Sequence, residues 1–147
     1  MNIPRLLIAI VVGFIFVFGA EFVIHTIWLG PDYKATPQLW RPENEMMARF
    51  LWMVVGQFVA AATFVILWAF GPAYRADMGT AFAYGLLMGL FAQAHTIISY
   101  VVTPMPGELA AKWFFSGLAE AIVLALITAA IYKPATSVVG EHQVRTI

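Results

Sequence analysis

The chain has no cysteine. Disulfides, thiolate metal sites, cysteine-held iron–sulfur clusters and thiol catalysis are therefore excluded. Charge is scarce as well. Only 11% of the 147 residues are Asp, Glu, Lys or Arg, where soluble domains run near 25%. Eight basic residues balance eight acidic ones, so no basic excess exists to neutralise phosphates, and nucleic acid is not an expected partner. Enzyme signatures are missing too. There is no glycine-rich phosphate loop, no His-Glu-x-x-His zinc helix and no nucleophile elbow. The paired Glu-x-x-His motifs of di-metal bundles are also absent. These absences predict a protein that is not an enzyme and holds no metal.

What is present is apolar. Hydrophobic residues make up 62% of the chain, against roughly 45–50% in soluble domains. They gather in four stretches, at about 3–29, 45–70, 78–103 and 107–132. A bilayer core roughly 30 Å thick needs about 20 helical residues to cross it, and only helices satisfy their own backbone in lipid at such lengths. The expected fold is all-α: an integral membrane bundle of four transmembrane helices in a single domain, with a long loop at 30–44 and a polar tail at 133–147. Gly30-Pro31, Gly71-Pro72, Pro104, Pro106 and Pro134 punctuate the stretches. The first stretch imitates a signal peptide, but Phe18 spoils cleavage after Ala20. It is therefore expected to remain as a membrane helix.

An even number of helices puts both ends on one side. Arg5, Arg75, Lys133 and Arg145 lie on that terminal side, and Lys34, Arg41, Arg49 and Lys112 on the loop side. Arg49 and Lys112 fall inside expected helices. Discounting them makes the termini cytoplasmic, in what is expected to be a bacterial inner membrane. The loop carries Tyr33, Lys34, Trp40 and Arg41. It reads as an interfacial segment anchored by aromatic rings, or as a lid or docking surface.

Two ridges of small residues predict close helix contacts. One is Gly117, Ala121, Ala125 and Ala129; the other is Ala81, Gly85 and Gly89. The contact lies either within the chain or with another subunit.

Polar residues inside the spans are costly and point to function or to a satisfied network. Glu21 and His25 share a helix face, and Arg49, Met53 and Gln57 share another. Gln93, His95, Thr96 and Ser99 follow, then Lys112, Ser116, Glu120 and Thr128. Counting rise per residue, these groups cluster in the loop-side half, with Thr128 the exception. A structural network would pair Glu21 with Arg49 or His25, and Glu120 with Gln57, Gln93 or Ser116. A proton or solute pathway would use Glu120 as its titrating carboxyl. A haem would use His25 and His95 as ligands from two helices, and a chlorin magnesium would need only one of them. No cofactor is the leading expectation. His142, in the tail, is expected to be solvated.

The order of these features resembles a broad group of uncharacterised bacterial four-helix membrane proteins of the domain-of-unknown-function type. The likeness lies in Trp28, the Tyr/Trp loop, Tyr84-Gly85-Leu86-Leu87-Met88-Gly89, the Pro106-Gly107-Glu108 helix start, Trp113, and the run from Glu120 to Lys133-Pro134. It implies a fold and no activity. The functional expectation is a non-catalytic accessory or structural subunit of a larger, energy-transducing membrane complex, in contact with lipid and with other membrane subunits. The alternatives are a small proton-linked transporter or channel and a haem- or chlorin-binding electron-transfer subunit.

Overall fold

The structure, a computed structural model, describes residues 1–75 and 77–134. The tail beyond Pro134, His142 included, lies outside the described residues. Among the described residues there is no strand. Helix α1 (Ile3–Glu21) runs directly into a π-helical segment (Phe22–Trp28). A short α2 (Gly30–Ala35) and a 3-10 turn (Pro37–Leu39) follow, then α3 (Glu43–Ala48) and α4 (Phe50–Phe70). A second 3-10 turn (Pro72–Tyr74) leads to α5 (Met78–Val102), and α6 (Gly107–Ile131) completes the bundle. Four helical segments are long and apolar enough to cross a membrane: Ile3–Trp28, Phe50–Phe70, Met78–Val102 and Gly107–Ile131.

Local chemistry sets the helix starts. The Asn2 side chain accepts the Arg5 N–H at 3.3 Å, and Pro4 occupies the first turn, where a missing N–H costs nothing. Asp77 caps α5 by accepting from the Thr80 N–H at 2.8 Å and from its hydroxyl at 2.6 Å. Those two bonds hold the Asp77 carboxyl below the usual carboxylate range.

Three expectations need correction. The first span is not uniformly α-helical. Its last seven residues hydrogen-bond one residue further along, as in Leu29 N–H to Ile24 C=O at 2.8 Å. The second span starts at Phe50 rather than at 45. The chain breaks at Arg49 (φ −109°, ψ 5°), because its guanidinium turns back on the Glu45 carbonyl at 2.9 Å and the Glu45 carboxylate at 3.4 Å. Arg49 therefore does not share a continuous helix face with Met53 and Gln57. Lastly, 30–44 is largely helical and folds back against α6.

The small-residue ridges meet each other inside the chain. A β-carbon on Gly85 would lie 2.7 Å from Ile122 Cα and 2.8 Å from the Ala121 carbonyl oxygen. One on Gly89 would lie 3.0 Å from Ala121 Cβ. Glycine is thus required where α5 and α6 touch backbone to backbone, which gives this pair packing that larger apolar side chains would prevent. The space a β-carbon at Gly117 would need is filled by the Gln93 side chain. Helix α1 packs against both α4 and α6.

Burial is lopsided. Leu6, Ala9 and Val17 of α1 are buried with Ala61, Phe64, Val65 and Trp68 of α4. Ala81 of α5 and Leu124, Ala125, Thr128 and Ala129 of α6 join them, and a smaller buried group, Leu29, Met105, Leu109 and Ala110, lies at the loop side. Because the helices alternate in direction, the larger group lies toward the terminal side, with Val17 near the middle. There the Tyr84 hydroxyl donates to the Phe64 carbonyl at 2.6 Å, and Thr128 donates to Leu124 at 2.7 Å. Helix α4 has no buried residue before Ala61. The terminal-side half is packed, and the loop-side half is open along α4.

Candidate functional site

The polar half is organised around His25. In the segment Phe22–Trp28, its Nε2 lies 3.2 Å from a Glu21 carboxylate oxygen one turn earlier. Its Nδ1 meets the Tyr33 hydroxyl, carried back over the span by α2. The Tyr33 hydroxyl also accepts the Trp113 indole N–H of α6, at 2.8 Å. The Glu120 side chain of α6 lies near Glu21. The result is a run of hydrogen-bonding groups from Trp113 through Tyr33 and His25 to Glu21.

The loop segment is clamped in place. Lys112 lies 3.1 Å from both Asp32 oxygens and 2.8 Å from Glu108, which ties α2 to α6. The Thr36 hydroxyl donates to the Asp32 carbonyl at 2.9 Å and accepts the Trp40 indole N–H at 3.0 Å. Aromatic rings surround Tyr33. His25 stacks parallel to it at 5.9 Å, Trp40 meets it edge-on at 5.1 Å, and Trp113 does so at 6.3 Å. Pairs at these spacings contribute about 0.5–1.5 kcal/mol beyond the area they bury.

Of the expected network residues, the structure brings together Glu21, His25 and Glu120. The others go elsewhere. Arg49 is exposed and pairs with Glu45, so Glu21 takes His25 instead. The Gln93 carbonyl accepts from Thr96 at 2.7 Å, and Ser116 donates to the Trp113 carbonyl at 3.2 Å. The Gln57 side-chain oxygen is buried with no partner. None of these three is the partner of Glu120. His95 is exposed on α5, and no hydrogen bond or ring contact joins it to His25. Both ring nitrogens of His25 have partners, Tyr33 and Glu21. Among the described residues no group of three or more His, Asp or Glu side chains is placed to hold a metal ion.

Sequence reasoning missed Asp32, Tyr33 and Trp113 as members of the site. Tyr33 and Trp40 read as interfacial anchors; in the structure they turn inward onto Trp113 and His25. Clustered aromatics in the loop were the available signal. An apolar groove of about 380 Å³ lies apart from this network, between α5 and α6 beside Tyr100, Gly107, Phe114 and Phe115.

Burial pushes the Tyr33 phenol up to about 12, with the nearby Glu21 and Asp32 charges adding to the rise and the Trp113 bond opposing it. Because the folded value is raised above the ordinary 10, the stabilisation from Tyr33 is complete below pH 10. It is lost as pH climbs through about 12. Alkaline absorbance titration is expected to show a late tyrosinate step that Tyr33→Phe removes. A wild-type curve that overlays the variant after allowance for one ordinary tyrosine would refute it.

No family model, no curated protein and no solved structure matches the chain.

Proposed function

We propose that the chain is a non-catalytic accessory subunit of a larger membrane complex, with its termini cytoplasmic. One observation carries this reading. Glu21 and His25 lie in the first span with side chains 33% and 35% exposed, on the half of the bundle that α4 leaves open. Exposed ionisable groups at this depth are expensive in lipid, and a neighbouring subunit that covers them removes the cost. The exposed loop-side surface of α4, with Trp52, Met53 and Phe58, lies on the same open half and offers the contact area.

The alternative is a self-contained proton-linked transporter using Glu120, favoured by the run of polar groups from Trp113 to Glu21 with Glu120 nearby. It needs a second route through the terminal-side half. The packing of Val65, Trp68, Ala125 and Ala129 weighs against such a route in this chain alone.

In mildly solubilised membranes the chain is expected to migrate in a discrete assembly larger than its own oligomers. Phe58→Arg is expected to release it while leaving its helicity intact. Migration as the free chain in every mild detergent would overturn the accessory role.

Orientation is tested with a single thiol. Thr36 is buried, so the exposed Gln38 is the better position. Gln38→Cys, the only thiol in the chain, is expected to react with an impermeant reagent in intact cells, and Tyr74→Cys only after lysis. The reverse pattern would invert the topology.

A further inference from the structure

We infer that the terminal-side end of the bundle is a binding surface for anionic phospholipid headgroups, formed by Arg5, Arg75 and Lys133. It depends neither on the accessory role nor on which side of the membrane is cytoplasmic.

The three cations come from separate segments and are drawn to one end by packing. Arg5 precedes Leu6, Arg75 lies just beyond Ala73, and Lys133 follows Tyr132. Leu6, Ala73 and Tyr132 belong to a single cluster of buried side chains. The three basic side chains themselves are exposed. Arg5 stands in the first turns of its span, and Arg75 and Lys133 follow the span ends at Phe70 and Ile131. That is the level of the lipid headgroups, where a long basic side chain lays its stem on the apolar surface and its charge in the polar layer.

The two ends of the bundle differ in how their charges are used. At the loop end Lys112 pairs with Asp32 and Glu108, and Arg41 and Arg49 pair with Glu45. At the terminal end, among the described residues, no ion pair engages Arg5, Arg75 or Lys133. Asp77 is the one acid there among the described residues, and its carboxylate is turned onto Thr80 as the cap of α5. Cations at the headgroup level with no protein counter-ion are complementary to lipid phosphates that carry a net negative charge.

Space for the rest of the lipid lies beside them. Leu7, Ile8, Val11 and Val12 of α1 line an open apolar groove of about 260 Å³. It begins within a turn of Arg5 and leads toward the membrane interior, the course of an acyl chain whose phosphate rests at the guanidinium.

The test uses the full chain in phosphatidylcholine vesicles containing a trace of spin-labelled phosphatidylglycerol or spin-labelled phosphatidylcholine. Electron spin resonance reports the fraction of each lipid that the protein holds immobile. At low salt the wild type is expected to prefer phosphatidylglycerol about fivefold or more, the effect of one or more cations near an anionic surface. Replacing Arg5, Arg75 and Lys133 together by Gln is expected to bring the ratio close to one. Lys34→Gln, which removes an exposed cation at the loop end, should leave it unchanged. Salt at 1 M, which shortens the screening length to about 3 Å, should weaken the wild-type preference. Equal association of the two lipids with the wild type would overturn the inference and leave this face to an acidic protein partner. An unchanged ratio in the triple variant, an equal loss in Lys34→Gln, or a preference insensitive to salt would overturn it as well. The salt titration needs no variant, so misfolding of the triple variant leaves the question decidable.

Discussion

Gly85→Leu is expected to destabilise the bundle more than any other single change in its helices. A β-carbon there already falls within 2.8 Å of three atoms of α6, two of them backbone. Flexible side-chain tips can swing aside, but Ile122 Cα and the Ala121 carbonyl can move only with their helix. Helices α5 and α6 must then separate, which loosens the contact along the whole ridge. Overpacking of this kind costs about 3 kcal/mol, the upper part of its usual range, out of a total stability of roughly 5–15 kcal/mol. Thermal unfolding in detergent, followed by helical circular dichroism, measures it. Gly56→Leu is the matched control, since a β-carbon on Gly56 meets nothing within 4 Å and the cost should stay within about 0.5 kcal/mol. Equal shifts for the two variants would show that the α5–α6 contact is not held by Gly85.

Trp113→Ala is expected to release the segment from Gly30 to Trp40 from the bundle. The indole donates to Tyr33 and lies within 5.9 Å of both the His25 and Trp40 rings. Truncating a buried aromatic costs about 3–5 kcal/mol, and Trp113 is only partly buried, so about 3 kcal/mol is expected. The Lys112–Asp32 ion pair remains, but solvent screens a partly exposed pair and it contributes little. Amide exchange is the readout. Residues 30–40 should lose protection while the α5–α6 hairpin keeps it. Trp113→Phe should give an intermediate result, because it keeps much of the packing and loses the N–H. Full protection in the alanine variant would mean that the segment is held by Asp32 and Thr36 instead.

The four spans were legible because a membrane helix announces itself by length and hydropathy alone. The α5–α6 contact was legible because glycines at four-residue spacing have few other uses in lipid. Partners across the bundle were not. Glu120 finds Glu21 rather than Gln57, Gln93 or Ser116 because the helices are apolar almost all round. Hydropathy then does not fix their rotation about their axes. Nor did the sequence mark the π-helical turns at Phe22–Trp28, where neither glycine nor proline interrupts the run. The break at Arg49 was hidden for a related reason. Met46, Met47, Phe50 and Leu51 continue the apolar pattern straight through it, and the deciding interaction is the local return of Arg49 to Glu45. The inward fold of Tyr33 depends on Trp113, 80 residues later, and no local window contains both.

The contrast between the packed terminal half and the open loop-side half has an electrical meaning. In a hydrated, loosely packed region the potential changes little with depth, and in a dry, tightly packed one it falls steeply. Most of any membrane voltage would therefore drop across the layer of Val65, Trp68, Ala125 and Ala129. A full crossing is worth about 2.3 kcal/mol per charge at 100 mV. A charge arriving at Glu21 and Glu120 from the loop side stops short of that layer, having crossed about half the thickness and at most about half of that energy. Polar groups at the depth of Glu21 and Glu120 would thus feel only a minor part of the membrane voltage.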